Sequence, residues 1–476
     1  MNLTYDNQIK EWINDNKDSL LETWIEIAKI PAILGEPEDG APFGKACAEA
    51  LSKCADVFKG RGFDAKVYTD SGYALVELGN GDKTIGVFSH SDVVPVGEGW
   101  LYTKPFEPVV KDGALIGRGV EDNKSGIMAA LCAMEIIRKL NIPLKSKLQL
   151  FIGSNEETGM KDIEAFVSEQ PMPEISLVPD AEFPCSTGEK GIYHFWAYSG
   201  DKTTDIIDFC GGEAFNIVLD KATVTLKHST ELEAELSGKA TERLSVNCDA
   251  DKITVCATGI AKHACEPEGS INAAYLLAEL LADTAALSVT DRKIMAQAKH
   301  ILGCPFGTTM GLDHSDKLFG KLTFVNGMVC MKDGSLGLSF DMRYSSALDH
   351  TELEKSAIDA FGALGWIIEV DSNLKGFSID ADSKIPEIFE DIYREVTGIC
   401  KKSIKLGGGT YARKIKNAFS VGTFTQTADR PEPQLKMPAG HGGAHQRDEM
   451  IDLESFFAAV RVITHYIIAM DEEINK

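Results

Sequence analysis

The amino-acid sequence predicts an α/β fold, with a mixed, largely parallel sheet flanked by helices and an α+β region inserted into the chain. From about residue 60 to 195, short strand-like apolar runs alternate with helix-like segments. From about 188 to 380 the sequence is rich in strand-like runs punctuated by glycine, and after 380 the α/β alternation resumes. The simplest architecture is therefore a discontinuous domain of residues 1–187 and 381–476, with residues 188–380 inserted as a second domain.

The elements of the discontinuous domain follow in chain order. The N-terminal segment has no uninterrupted apolar stretch and is acidic where a signal peptide would be basic, so it predicts an amphipathic helix rather than a targeting segment. The next elements are the strands "ALVEL" and "TIGVFS", the helix "SGIMAALCAMEIIRKL", and the strands "KLQLFIGS" and "ISLVPD". Beyond residue 380 they are the helix "SKIPEIFEDIYREVTG", the turn "KLGGGTYARKI" with a helix-like segment after it, the strand "AFSVG" and the helix "MIDLESFFAAVRVITHYIIAM".

The inserted domain combines strands with two helix patterns. The strand-like runs are "EAFNIVLDKATVTLKHS", "KITVCATG" and "GSLGLSFDMRYS". The helix patterns are "INAAYLLAELLADT" and "TELEKSAIDAFGALG". This mixture predicts an α+β domain.

Composition limits the class of protein. With 44% hydrophobic and 25% charged residues, the chain has the balance of an ordinary soluble globular protein. The 72 acidic residues outnumber the 48 basic ones, and a net charge of -24 argues against a nucleic-acid partner. The 11 cysteines include no CxxC pair, which favours reduced thiols in a cytoplasmic protein. We expect no membrane partner either.

Imidazoles and carboxylates recur at the ends of the apolar runs or in glycine-rich turns. They are His90 and Asp92 in "SHSDVVPVGEGW", Asp122 in "GRGVEDNKSG", Glu156 and Glu157 in "SNEETG", Asp180 in "PDAEFP", and His445 in "AHQRDE". Each alone is typical of a helix cap or a polar strand end. Together they are better explained by a shared site, because ligand sites in open α/β sheets lie beyond the carboxyl ends of the strands.

The residue types in this set favour a metal centre. Two histidines with several carboxylates and no cysteine suit Zn²⁺, with Mn²⁺ or Co²⁺ as alternatives. The candidate ligands outnumber those that one tetrahedral ion needs, so we expect two divalent ions.

In order and context these motifs resemble those of the M20 metallopeptidases, and within them the dipeptidase V and carnosinase-like branch. The resemblance extends over nearly the whole chain and includes "GIAKHACEPEGSINA" and "FDMRYS" in the insert. It implies a di-metal exopeptidase domain and a ferredoxin-like lid formed by the insert. It also implies that Asp122 bridges the two metals, with His90 and Asp180 completing one site and Glu157 and His445 the other.

Two further residues receive catalytic roles. As in the family, Glu156 would take a proton from the water between the metals and deliver it to the leaving amine. Asp92 would accept a hydrogen bond from the second ring N–H of His90 and so fix which nitrogen faces the metal.

The resemblance also suggests how the substrate is bound. His263 would stabilise the tetrahedral oxyanion, and Arg343 would clamp a substrate carboxylate, unless it forms a rim salt bridge with Asp341. Asn216 matches a polar position that contacts the substrate. The N–H groups of Gly408, Gly409 and Thr410 could hold a C-terminal carboxylate, although glycines there could serve only the turn. Two carboxylate clamps favour dipeptides, including those that begin with β-alanine.

The chain departs from the family pattern between residues 425 and 443, where a proline-rich loop adds His441. We expect His445 to be the metal ligand and His441 to belong to the loop, which would affect substrate preference more than catalysis. Two alternatives to a dipeptidase are an N-acyl amino acid deacylase or desuccinylase with the same site, and a non-catalytic metal-dependent binding or scaffold protein. The insert is nearly twice the size of a compact lid, so we expect a monomer.

Overall fold

The computed structural model describes residues 3–380, 382–438 and 440–476, and within these it contains ten α-helices, two short 3₁₀ helices and 22 strands. The helices are α1 Asp6–Ala28, α2 Lys45–Gly60, α3 Lys124–Lys139, α4 Lys161–Glu169, α5 Thr230–Leu236, α6 Ala273–Ala282, α7 Val289–Leu302, α8 His350–Ala363, α9 Ile385–Thr397 and α10 Leu453–Ile474. The 3₁₀ helices are Thr308–Met310 and Tyr411–Lys414.

The strands vary from two to ten residues in length. They are β1 Asp64–Tyr68, β2 Tyr73–Leu78, β3 Thr84–His90, β4 Val109–Lys111, β5 Ala114–Ile116, β6 Lys147–Gly153, β7 Ile175–Pro179, β8 Ser186–Glu189, β9 Gly191–Ser199, β10 Ile206–Cys210, β11 Lys221–Lys227, β12 Leu244–Cys248, β13 Lys252–Thr258, β14 Ser315–Asp316, β15 Gly320–Lys321, β16 Thr323–Lys332, β17 Ser335–Tyr344, β18 Trp366–Leu374, β19 Phe377–Ser378, β20 Ile404–Leu406, β21 Ala418–Val421 and β22 Met450–Asp452.

The chain divides into two compact units. Unit 1 comprises residues 1–187, 379–406 and 410–476, and unit 2 comprises residues 188–378 and 407–409. The second boundary therefore lies two residues before the position expected from the sequence. The three-residue segment 407–409 also belongs to unit 2, which the pattern of apolar runs and glycines in the sequence does not indicate.

The central sheet of unit 1 is mixed, as predicted. Its strands follow the order β1-β2-β6-β3-β7-β21-β8. The inner strands β6, β3, β7 and β21 are parallel to one another, whereas β1, β2 and β8 run antiparallel to their neighbours. The inner strands are apolar along most of their length because both faces of the sheet are covered.

Two helices of unit 1 are unusually apolar because they lie in its core. Helix α3 is buried from Lys124 to Ile137 and contacts α10, which is itself buried along most of its length. By length and composition α10 could span a membrane, but 78% of its most apolar window is buried inside the protein, as in a core helix. The sequence pattern includes the residues of β22 in this helix, which begins instead at Leu453.

Unit 2 contains two four-stranded antiparallel sheets, with orders β16-β17-β9-β18 and β10-β11-β13-β12. It has four helices, α5 to α8, rather than the two predicted. The run "EAFNIVLDKATVTLKHS" is a strand only over Lys221–Lys227. Before that strand the backbone pairs with separate segments, because Val218 N donates to Lys262 O and Leu219 N donates to Asn326 O.

Candidate metal centre

Parallel pairing brings three of the predicted residues to one edge of the sheet in unit 1. His90, the last residue of β3, is in register with Gly153, the last residue of β6. Asp180 directly follows β7, which also pairs with β3. The carboxyl ends of parallel strands share an edge, so His90, the segment after Gly153 and Asp180 converge there.

Two groups of potential metal ligands form at this edge, and they share Asp122. In the first, His90 Nε2 lies 3.1 Å from Asp122 Oδ1 and 3.9 Å from Asp180 Oδ2. In the second, His445 Nε2 lies 2.9 Å from Asp122 Oδ2 and 3.1 Å from Glu157 Oε2. The ligand atoms within each group lie within 4.8 Å of one another. The structure thus brings together the five residues that the sequence predicts as metal ligands, in the two groups expected, and their binding of metal stays a prediction.

The donor set fits divalent cations. Each group offers one imidazole nitrogen and two carboxylates, a combination suited to Zn²⁺ and also to Mn²⁺ or Co²⁺. Among the described residues, His90 Nε2 and Glu157 Oε1 are buried and have no hydrogen-bond partner. A metal ion would satisfy both atoms, because a buried polar atom without a partner is costly.

The protonation of the metal-free chain reflects this crowding of acids. Burial by itself would lower the pKa of His445, but its hydrogen bonds to Asp122 and Glu157 outweigh burial and raise the pKa to about 11. Burial raises the pKa of Glu156 far above its usual range, and the charges of Asp180 and Glu157 add to this rise. Protons therefore occupy this site when cations do not.

Asp92 supports the site in a different way from the one predicted, because the hydrogen bond of His90 Nδ1 goes to its backbone carbonyl and not to its carboxylate. Its backbone carbonyl lies 3.1 Å from His90 Nδ1, and its Oδ1 lies 3.4 Å from the same atom. A carbonyl oxygen can only accept, so Nδ1 carries a proton and donates it, while Nε2 faces the ligand group. The Asp92 carboxylate accepts the backbone N–H groups of Glu156 and Glu157, at 3.2 and 3.1 Å.

A second buried carboxylate, Asp162, completes the support of this turn. Its Oδ2 accepts the N–H groups of Ser154 and Asn155 at 2.7 and 2.8 Å, and the Tyr411 hydroxyl also donates to it. Asp92 and Asp162 therefore satisfy four successive N–H groups after β6. The Glu156 side chain itself accepts no hydrogen bond from the described residues, and its Oε1 is buried.

Glu449 and Arg118 connect the loops that carry Asp122 and His445, and sequence reasoning missed both. Glu449 is fully buried and its carboxylate accepts the N–H groups of Gly119 and Asp122 at 3.0 Å and that of Glu121 at 2.9 Å. Arg118 Nη1 donates to the same carboxylate at 2.7 Å, and Nη2 donates to the His445 carbonyl at 3.3 Å.

Asn123 was also missed. Its amide donates to Asp180 Oδ1 at 3.0 Å. Arg118 and Asn123 lie in the motif that contains Asp122, and Glu449 lies in the motif that contains His445. Their closeness in sequence to these candidate ligands could have identified them.

His441 does not join the ligand groups. Its Nδ1 contacts Asp448 Oδ2 at 2.5 Å, and the same carboxylate accepts the N–H groups of Leu101 and Tyr102. Of the two histidines in this region, the structure places His445 beside Asp122 and Glu157.

The predicted substrate-binding residues, except Thr410, belong to unit 2. His263 is exposed, and its Nδ1 lies 2.8 Å from Cys265 Sγ and accepts the Cys265 N–H at 3.2 Å. The backbone carbonyl of Asn216 accepts the N–H of Ala264 at 2.8 Å, so Asn216 contacts the turn that contains His263 and Cys265. The close approach of Gly407 to Cys265 leaves no room for a Cβ atom on Gly407.

Arg343 forms a two-pronged ion pair with Asp341, at 2.6 and 2.7 Å. Both side chains are buried, so this is an interior pair rather than the rim salt bridge considered from the sequence. The opposite edge of the guanidinium is less occupied, because among the residues that the structure describes Nη1 donates to the Gly407 carbonyl alone, at 3.3 Å. A substrate carboxylate could therefore reach Arg343 only at that edge.

The glycine-rich turn is divided between the units. Gly408 and Gly409 belong to unit 2 with Gly407, whereas Thr410 belongs to unit 1. The Thr410 side chain is buried and caps the 3₁₀ helix by accepting the N–H of Ala412. The helix-like segment expected after the turn is thus a single short 3₁₀ helix.

Comparison with known proteins identifies the class of enzyme. The sequence model of peptidase family M20/M25/M40 matches residues 86–469, which is most of the chain. The chain therefore belongs to this family and is a metallopeptidase. Enzymes of the family depend on metals, in agreement with the two ligand groups.

Individual relatives give the same picture. The chain is 27% identical to "Putative dipeptidase YtjP" of Bacillus subtilis over 95% of its own length and 97% of that protein. Its fold resembles human carnosine dipeptidase 1, with a TM-score of 0.60 and 14% identity over 98% of this chain and 99% of that one. It also resembles the dipeptidase Dug1p of Saccharomyces cerevisiae, with a TM-score of 0.61 and 14% identity over 98% of each chain.

Proposed function

We propose that the protein hydrolyses dipeptides, including those that begin with β-alanine, with two divalent metal ions and Glu156 as the general base. The observation that carries the proposal is the geometry of Asp122, whose two oxygens face two separate ligand groups. The names of the relatives support the substrate class. Zn²⁺ is the proposed ion, because an imidazole with carboxylates is a typical zinc environment.

The ligands and the base have separate tasks in this reaction. His90, Asp122 and Asp180 would hold one ion, and Asp122, Glu157 and His445 the other. Bound ions would polarise the scissile carbonyl and make the attacking water more acidic. Glu156 would accept a proton from the attacking water as the C–O bond forms, and it would return the proton to the amine nitrogen as the C–N bond breaks.

The other predicted site residues would bind the substrate. His263 would donate a hydrogen bond to the oxygen that becomes negative in the transition state. Because its Nδ1 accepts the Cys265 N–H, the neutral ring carries its proton on Nε2 and can donate from that atom. Arg343, Asn216 and the turn at Gly408 and Gly409 would hold the terminal carboxylate, with the N–H of Thr410 completing the turn.

We also propose that the enzyme is located in the cytoplasm.

Replacement of Glu156 tests the proposal. Glu156→Gln should lower kcat on dipeptides by about 10²- to 10⁴-fold, because it removes the proton acceptor while keeping the shape of the side chain. Metal content, measured by elemental analysis after dialysis, should stay at two ions per chain. Glu22→Gln, which changes an exposed residue of α1, is the control for the loss of one charge.

Two results would contradict the proposal. Retained turnover in Glu156→Gln would exclude Glu156 as the base. If the wild-type enzyme cleaved N-acyl or N-succinyl amino acids with a higher kcat/KM than dipeptides, the deacylase alternative would replace the dipeptidase.

A further inference from the structure

Cys265 carries a thiol that the proposed mechanism does not use, although it contacts a residue to which that mechanism gives a task. Its sulfur lies 2.8 Å from Nδ1 of His263, the proposed oxyanion donor. Cys265 also packs against Gly407, since a Cβ atom added to Gly407 would lie 2.7 Å from Cys265 Cβ. The Gly407 carbonyl in turn accepts a hydrogen bond from Arg343. Cys265 therefore belongs to the part of unit 2 that is proposed to bind the substrate.

The backbone around this thiol has a defined conformation. Ala264, between His263 and Cys265, is fully buried, and its N–H donates to the Asn216 carbonyl at 2.8 Å. The N–H of Glu266 donates to the His263 carbonyl at 3.0 Å, which closes a turn. His263 itself is exposed. An exposed side chain is held by few packing contacts, so hydrogen bonds to the His263 ring decide its orientation.

Cys265 offers two hydrogen-bond donors to His263 Nδ1. Burial raises the pKa of the Cys265 thiol, so the sulfur keeps its proton at neutral pH and can donate it. The backbone nitrogen of Cys265 lies farther away, at 3.2 Å from the same ring nitrogen. In a neutral imidazole one nitrogen accepts and the other donates, and the hydrogen bond at one of them decides which tautomer is present. Donors at Nδ1 therefore favour the tautomer that carries its proton on Nε2.

We infer that the thiol of Cys265 is a positioning group, which orients the His263 ring and keeps its proton on Nε2. The inference rests on the proposed function, in which His263 Nε2 donates to the oxyanion. The thiol does not touch the substrate in this scheme and acts only through His263. Because the oxyanion develops only in the transition state, the thiol should affect kcat and not KM.

Three variants of the Zn²⁺-loaded enzyme test the role of the thiol. Cys265→Ala removes the donor and should lower kcat for glycyl-leucine about 2- to 10-fold, the usual effect of one hydrogen bond, with KM unchanged. Cys265→Ser places a hydroxyl donor at the same position and should keep most of the wild-type kcat. Cys248→Ala, the control, removes a partly buried cysteine from β12 of the same unit and should have the wild-type kcat.

The tautomer of His263 can be measured without turnover. The enzyme is labelled with nitrogen-15 in its ten histidines, and the ring signals of His263 are identified by their loss in His263→Gln. The nitrogen chemical shifts distinguish a ring nitrogen that carries a proton from one that accepts. At mildly alkaline pH, His263 should carry its proton on Nε2 in the wild type and in Cys265→Ser. In Cys265→Ala it should be a mixture of both tautomers, because only the longer backbone contact remains.

The other outcomes separate the two proposals. Identical His263 signals in Cys265→Ala and wild type would overturn the role of the thiol, whatever the kcat. A kcat in Cys265→Ser as low as that of Cys265→Ala would also overturn it, because a hydroxyl can donate as a thiol does. If His263 changes tautomer in Cys265→Ala but the wild-type enzyme hydrolyses no dipeptide, the proposed function would be contradicted and the role of Cys265 still supported.

Discussion

At the scale of single residues, the metal centre depends on side chains that touch no metal ligand atom directly. Glu449 accepts three backbone N–H groups and Arg118, and Arg118 also holds the carbonyl of His445. The position of Asp122, the carboxylate that the two ligand groups share, therefore depends on a buried acid four residues after His445. Hydrogen bonds of this kind to a ligand loop orient the ligands and affect metal affinity.

Glu449→Gln should weaken metal binding by about 10- to 100-fold. The substitution replaces one carboxylate oxygen with an NH₂ group that faces donors, so the loop before Asp122 can no longer keep its hydrogen bonds. Zn²⁺ affinity is measured by competition with a chelator. The control is Asp452→Asn, which removes the ion pair with Arg430 from the same unit and should leave Zn²⁺ affinity unchanged. Unaltered affinity in Glu449→Gln would contradict the prediction.

The candidate ligands could be identified from the sequence because they lie at strand ends and in glycine-rich turns, positions that the pattern of apolar runs reveals. The residues that hold the backbone near these ligands in place could not be identified in this way. The carboxylate of Asp162 lies six residues beyond Glu156 in a helix, where an acid is typical of an exposed first turn. Only the fold shows that this acid is buried and accepts the N–H groups of Ser154 and Asn155.

At the scale of elements, the patterns located the buried strands and the long helices of unit 1 but not all of unit 2. Helix α7 was not predicted, although half of its sequence, "VTDRKIMAQAKHIL", is apolar and its buried residues Ile294, Met295, Ala298 and Ile301 recur at helical spacing. Strand β17 was identified, and it carries both Asp341 and Arg343. Their side chains form the buried ion pair, a feature that alternation along a strand does not reveal.

The buried pair of Asp341 and Arg343 should make the free energy of unfolding depend on pH. Burial by itself would raise the pKa of Asp341, but the charge of Arg343 and hydrogen bonds from His194 and Arg343 lower it to about 2. Because the folded-state pKa is depressed, the stabilisation is present above pH 4 and is lost as the pH falls toward 2. Arg343→Met should lower the free energy of unfolding by about 3 to 5 kcal/mol at pH 7, because it removes the charged partner of the buried Asp341 carboxylate and leaves it the hydrogen bond with His194.

The check is urea unfolding of both proteins at several pH values. The difference between wild type and Arg343→Met should narrow as the pH is lowered from 4 toward 2. Lys293→Met breaks an exposed pair with Asp201 in the same unit and should change stability by less than about 1 kcal/mol. A variant as stable as wild type at pH 7 would show that the pair contributes little.

At the scale of the whole molecule, unit 2 is larger than a single α+β module. It has two four-stranded sheets and four helices. The size of the insert suggested from the sequence that it could replace a partner subunit. The exact division of residues between the two units could be seen only in the structure. In particular, the sequence does not indicate that residues 407–409 belong to unit 2.

We predict that the protein is a monomer of 51.7 kDa. Sedimentation velocity across a hundredfold range of concentration should give one species of that mass. A dimer at low concentration would contradict the prediction and would direct attention to the edge strand β18, where Ile367 is 64% exposed.

The turn that carries Glu156 has one more consequence. Because Asp92 and Asp162 accept all four N–H groups from Ser154 to Glu157, this backbone is fixed by the protein alone. Loading and removal of cations should therefore need little structural reorganisation at the turn, and preorganisation of this kind lowers the work of reaching a transition state. We therefore expect the scaffold to tolerate ion exchange, because a different cation could enter without the backbone having to refold around it.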